Sequence, residues 1–127
     1  MPDVSQSNRP LSPHLSVYRP QISMVSSILT RITGISLLVG GLLVVWWFLA
    51  AAISPEAFAL ADGVLTSWLG DLVMLGSLWA LWYHFLTGLR HLYWDTGRGL
   101  DLPTAKMLGW VAVFGSFILT ALTVVLV

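Results

Sequence analysis

Three long apolar runs, Ile32 to Ile53, Leu72 to Leu89 and Met107 to Val127, are separated by short stretches in which polar residues and proline concentrate. Within the runs, small and polar residues recur at spacings of three and four, the period of a helix. A bilayer core of roughly 30 Å is crossed by about 20 residues of helix, so each run can span it. The pattern predicts an all-α membrane protein in a single domain, 1–127: an N-terminal arm over 1–20, then transmembrane helices at about 22–53, 63–93 and 105–127. The second span starts between Gly63 and Leu72, and an early start puts Asp71 inside the protein. Pro10, Pro13 and Pro20 disfavour helix, so the arm is expected to run extended over the inner membrane surface. Helix begins after Pro20, with Ser23 or Ser26 as its cap. The stretch "SPEAFALAD" reads as a loop.

The helical period gathers Ser27, Arg31, Gly34, Leu38 and Gly41 into one stripe on the first span. On the second it aligns Gly70, Ser77, Ala80, His84, Gly88, His91 and Asp95, and on the third Gly109, Ala112, Ser116, Thr120 and Thr123. Helices in lipid associate by close packing, which small residues permit. Helix contact accounts for the third stripe. The second carries ionisable groups and needs a further explanation.

Composition narrows the classes open to such a chain. Of 127 residues, 57% are hydrophobic and 9% charged, which excludes an ordinary soluble domain. Six basic residues balance six acidic ones, leaving no electrostatic footprint for nucleic acid. The basic residues, Arg9, Arg19, Arg31, Arg90, Arg98 and Lys106, all fall on one side of the spans, which the positive-inside rule makes cytoplasmic. The C-terminus then faces outward, to the periplasm of a bacterium. Trp46, Trp47 and Trp68 form an outer aromatic belt, Trp94 and Trp110 an inner one. With no cysteine, disulfides, thiolate metal sites and iron–sulfur ligation are excluded, so any redox metal must be held by histidine. The opening residues have no apolar signal core and read as a mature start.

Of the three histidines, His14 lies in the polar arm and reads as ordinary surface. His84 is six residues before Arg90, about 9 Å deeper than that charged boundary. An ionisable side chain at such depth must face protein and have a partner. It is either a neutral histidine bonded to a neighbouring carbonyl or hydroxyl, or a functional ligand. Gly88, one turn on, favours the ligand: a flat macrocycle lying along a helix needs a bare residue beside its axial imidazole. His91 and Asp95 continue the face toward the headgroups, as a solvated pair or as part of a site. Arg31 either snorkels to the headgroups or joins Ser27, one turn away, in binding a carbonyl oxygen or a propionate.

Three motifs, "NRPLSPHLSVYRP", "SSILTRITG" and "HFLTGLRHLYWDTGRGL", together resemble the cytochrome b membrane-anchor subunits of succinate dehydrogenase, respiratory complex II. The resemblance covers nearly the whole chain. It implies that His84 is an axial ligand of haem b, with the second axial histidine on a companion anchor subunit. It implies that Ser27 and Arg31 line a ubiquinone pocket, that Arg31 also lies near a haem propionate, and that Asp95 takes part in proton supply. Many relatives have histidine where this chain has Thr30, so one propionate contact does not carry over. The motif wording is similar to that of alphaproteobacterial and mitochondrial members, and the lack of a transit peptide points to a bacterial inner membrane.

The expected function is therefore a haem b-binding anchor of succinate:quinone oxidoreductase. It would hold a flavoprotein and an iron–sulfur subunit at the lipid bilayer and help to form the quinone-reduction site, the dicarboxylate chemistry residing on another chain. The alternatives are a fumarate reductase anchor and a cofactor-free structural or assembly subunit in which His84 only packs. A small transporter would carry broken helices or paired midplane charges, and none is evident.

Overall fold

The structure is a computed structural model and describes residues 8, 14–16 and 18–127. It contains α1 (Ile22–Ile53), α2 (Pro55–Leu65), α3 (Trp68–Asp95) and α4 (Leu102–Leu126), with no strand among the described residues. α1, α3 and α4 are each long and apolar enough to cross a membrane. Their 32, 28 and 25 residues correspond to about 48, 42 and 37 Å at the helical rise, so α1 in particular projects beyond a hydrocarbon core of roughly 30 Å. The all-α, three-span reading holds. The N-terminal arm lies largely outside the described residues. Of its described part, Tyr18–Pro20 are not helical, and the Tyr18 amide donates to the His14 carbonyl at 2.9 Å.

Element boundaries depart from the sequence reading in three places. The segment read as a loop after the first span is helix α2. Ser54 caps it by accepting from the Ala57 amide at 3.1 Å, Pro55 follows where an amide proton is not needed, and Glu56 occupies the first turn. The residues that resembled loop punctuation are, in this order, a helix start. The helix expected at about 63–93 is divided, since α2 ends at Leu65 and the Ser67 hydroxyl opens α3 by accepting from the Gly70 amide at 3.1 Å. A Cβ on Gly70 would overlap the Val64 and Leu65 carbonyls, so this corner requires glycine. Asp71 is not inside the protein: it is exposed in the first turn of α3, where the helix dipole favours a carboxylate. Finally, neither Ser23 nor Ser26 caps α1. The cap position is Gln21, without a side-chain bond, and Ser26 is buried within the helix.

α4 starts at Asp101, whose carboxylate accepts from the Thr104 hydroxyl at 2.7 Å and the Thr104 amide at 3.2 Å. These bonds hold its carboxyl below the usual carboxylate range. The cap thus contributes fully at neutral pH and is lost only as pH falls through that lowered value.

The spans meet along seams of mostly small and hydroxyl residues: Ser26, Thr33 and Gly40 on α1, Ala80, Tyr83 and Thr87 on α3, and Gly109, Ala112, Ser116 and Thr120 on α4. Arg90 of α3, the one buried cation among the described residues, lies against Gly109. The α4 stripe is the one expected, with Thr123 half-buried at its end. On α1 the packed face is rotated by one residue. On α3 Gly70 and Ala80 are buried as expected, and beyond them the buried positions are Tyr83, Thr87 and Arg90, each one residue before the expected His84, Gly88 and His91. Arg31, Leu38, Gly41, Gly88, His91 and Asp95 are exposed, while Ser27, Gly34, Ser77 and His84 are half-buried. Thr33, Thr87, Ser116 and Thr120 return their hydroxyl protons to carbonyls of their own helix at 2.7–3.0 Å, so they pack as small, satisfied side chains. Two adjacent faces of each helix therefore look equally packable in sequence.

Indole donors tie α3 to α4, Trp79 Nε1 to the Ser116 hydroxyl and Trp82 Nε1 to the Thr123 hydroxyl, both at 3.0 Å. Of the five tryptophans expected in the belts, Trp46, Trp68 and Trp110 are exposed. Trp47 and Trp94 are half-buried and donate to Asp62 Oδ1 at 3.1 Å and to the Gly99 carbonyl at 3.0 Å. Gly40 lets α1 approach α3, since a Cβ there would lie 2.8 Å from Ser77 Oγ. Gly40→Val is expected to cost about 1–3 kcal/mol by overpacking this contact. The measurement is the thermal transition of the protein in detergent, and an unchanged transition would show that the seam does not close here.

Candidate functional site

The approach at Gly40 sets α1 beside α3, and farther along the same pair of helices Gly34 faces His84. A Cβ on Gly34 would lie 3.0 Å from His84 Cε1, 3.5 Å from Nδ1 and 3.9 Å from Nε2, so this edge of the imidazole rests on bare backbone. His84 Nδ1 is 3.1 Å from the Thr30 carbonyl oxygen, with Thr33 Oγ1 farther off at 3.4 Å. A carbonyl can only accept, so Nδ1 carries the proton and Nε2 keeps its lone pair. The two readings of His84, a histidine satisfied by a carbonyl and a ligand, are compatible, because each uses a different nitrogen. A ring N–H donated to a backbone carbonyl is the usual support for a metal-binding imidazole: it sets the tautomer and raises ligand basicity.

Beside this imidazole lies an open groove of about 610 Å³ lined by Thr30, Arg31, Gly34, Ile35, Leu38 and His84, within the size range of small-molecule sites. Arg31 is the one charged residue of that lining. The Thr30 hydroxyl donates to the Ser26 carbonyl at 2.8 Å and so turns its proton away from the groove. Gly88 is exposed one turn from His84 and lies outside this lining, and a Cβ there would meet nothing within 4 Å. No group of three or more His, Cys, Asp or Glu side chains that could hold a metal ion occurs among the described residues. The donor set suits a flat, carboxylate-bearing macrocycle with iron at its centre: one free imidazole nitrogen, bare backbone at Gly34, apolar Ile35 and Leu38, and a guanidinium.

The groove thus brings His84 and Arg31 together. Ser27 is half-buried one turn from Arg31 on α1 and lies outside the lining. His91 is exposed, its Nδ1 donates to the Thr87 carbonyl of its own helix at 2.7 Å, and its ring packs against Trp94 at 5.3 Å between centroids. Asp95 is the exposed last residue of α3, about 16 Å along the axis from His84. Sequence reasoning missed the Thr30 carbonyl, because a main-chain acceptor leaves no residue signature. It found Gly34 only as a packing residue, since periodicity on one helix does not say what stands opposite.

Three lipid-length helices closing on hydroxyl-rich seams, with an imidazole and a guanidinium at one groove, define a small multi-pass membrane protein with a candidate cofactor site between its spans. Comparison with known proteins makes the class specific. The chain belongs to the succinate dehydrogenase/fumarate reductase transmembrane subunit family, whose profile matches residues 5–123. It is 51% identical over 125 residues to the succinate dehydrogenase cytochrome b556 subunit of Paracoccus denitrificans, covering 98% of this chain and 96% of that protein. Identity to the cytochrome b556 subunit of Rickettsia conorii is 37% over 114 residues, 90% and 89% of the two chains. The mitochondrial cytochrome b560 subunit of Sus scrofa is 39% identical over 112 residues, 84% of this chain and 64% of that one. The family expected from the motifs is therefore the family found.

Proposed function

We propose that this chain is the haem b-binding membrane anchor of a bacterial succinate:quinone oxidoreductase, holding flavoprotein and iron–sulfur partners at the inner membrane and helping to form the ubiquinone-reduction site. The observation that carries this reading is the bond from His84 to the Thr30 carbonyl, which leaves Nε2 free beside a groove shared with Arg31. Haem b would be held by the His84 imidazole, by Arg31 at a propionate and by a histidine of a companion anchor subunit. When bound, the haem supplies one-electron transfer chemistry between the iron–sulfur partner and quinone.

The chain's own residues do the positioning. The Thr30 carbonyl orients the imidazole, and Gly34 and Gly88 leave room beside it. Ser27 and Arg31 offer a rotatable hydroxyl and a fixed cationic fork to quinone carbonyl oxygens as negative charge develops on them. Asp95, exposed at the end of α3, would pass protons from water toward the quinone. A reduced-minus-oxidised spectrum of the purified complex, with identification of its co-purifying chains, tests the proposal. A b-type band together with flavoprotein and iron–sulfur chains is expected. An assembled complex without haem would favour the cofactor-free anchor.

Orientation follows from the one-sided distribution of basic residues, which supports a cytoplasmic N-terminus and a periplasmic C-terminus. Single cysteines at Ser7 and at exposed Glu56 of α2 should react with a membrane-impermeant maleimide from opposite faces. Labelling of both from one face would overturn the arrangement.

A further inference from the structure

We infer that Tyr83 is a positioning residue that, together with His84, clamps the inner turns of α1, and this inference rests on the function proposed above. Tyr83 directly precedes His84 and is 0% exposed. Its phenol oxygen lies 3.1 Å from the Ser26 carbonyl oxygen and 3.1 Å from Ser26 Oγ. It can donate to the carbonyl while accepting from the hydroxyl. The same carbonyl receives the Thr30 hydroxyl at 2.8 Å. One residue on, His84 donates to the Thr30 carbonyl at 3.1 Å.

Consecutive residues of α3 therefore grip carbonyls one turn apart on α1. The residues that follow those carbonyls, Ser27 and Arg31, are the proposed quinone-binding pair. The close approach at Gly40 is packing without a directional bond, and one directional bond, at His84, would leave α1 free to turn about it. Two grips at different heights fix both its rotation and its slide along α3, and with them the direction of the His84 ring and the reach of Arg31. Packing does not require the phenol oxygen, because the ring already stacks on Trp79 at 5.4 Å and 25°. Tyr83 does not line the groove, so its influence passes through α1.

The test uses the assembled complex in membranes. Tyr83→Phe is expected to keep haem and succinate-to-dye activity and to raise the KM for a short-chain ubiquinone about five-fold, the factor corresponding to one net hydrogen bond of about 1 kcal/mol. The electron paramagnetic resonance g-values of the haem should shift with it, as the imidazole reorients. Ser26→Ala, which removes the hydroxyl and retains the carbonyl, should shift both readouts in the same direction by less. Wild-type KM and g-values in Tyr83→Phe overturn the clamp. Should Tyr83→Phe not assemble, Ser26→Ala decides: wild-type values there overturn the clamp, and a shift sustains it. His84→Leu run alongside separates the two levels, since a wild-type haem spectrum in that variant would overturn the proposed function itself.

Discussion

His84→Leu is expected to abolish the b-type spectrum of the assembled complex, whereas His91→Leu leaves it intact. Leucine approximates the volume but offers no lone pair, so the proposed hold of His84 on the haem would be removed. The fold has little reason to fail at this substitution. The Thr30 carbonyl that loses its imidazole donor lies within α1 and keeps the amide of the next turn as its donor, so no buried acceptor is left bare. His91 is already satisfied by the Thr87 carbonyl of its own helix and stands on the exposed side of Trp94. Its removal should not reach the groove. The measurement is the reduced-minus-oxidised spectrum normalised to the amount of complex, because assembly can survive while the spectrum is lost. A spectrum lost with His91 and retained without His84 would reassign the ligand.

Arg31→Leu is expected to lower succinate-to-quinone turnover by about two to three orders of magnitude, and to leave succinate oxidation by a soluble dye nearly unchanged. The size follows from losing one pre-placed charged donor to a developing oxyanion, roughly 2–4 kcal/mol of transition-state stabilisation. Arg31 is exposed on α1 and lines the groove together with His84, so its guanidinium has no structural task inside the bundle that would confound the result. The dye accepts electrons upstream of the membrane, which makes it the internal control for an intact flavoprotein. Normal quinone turnover in the assembled variant would mean that Arg31 only snorkels to the headgroups and that the quinone binds elsewhere.

The sequence by itself determined the three spans, because bilayer thickness converts directly into a required length of apolar helix, and length is a local property of the chain. The packed stripe of α4, from Gly109 to Thr120, was legible for the same reason: it follows from counting along one helix. Local cap chemistry was present in the sequence as well, but Ser54 and Pro55 could be read either as loop punctuation or as the start of α2. What one helix presents to another was not legible. Ser26, Thr33 and Gly40 pack where Ser27, Gly34 and Gly41 were equally plausible, and Tyr83 and Thr87 are buried while Gly88 and His91 are exposed. One residue is about 100° of helix rotation. In lipid no hydrophobic contrast chooses between two faces of small residues, so the choice falls to close packing and interhelical hydrogen bonds. Tertiary structure alone decided that the Thr30 carbonyl holds one nitrogen of His84 and that His84 and Arg31 line one groove.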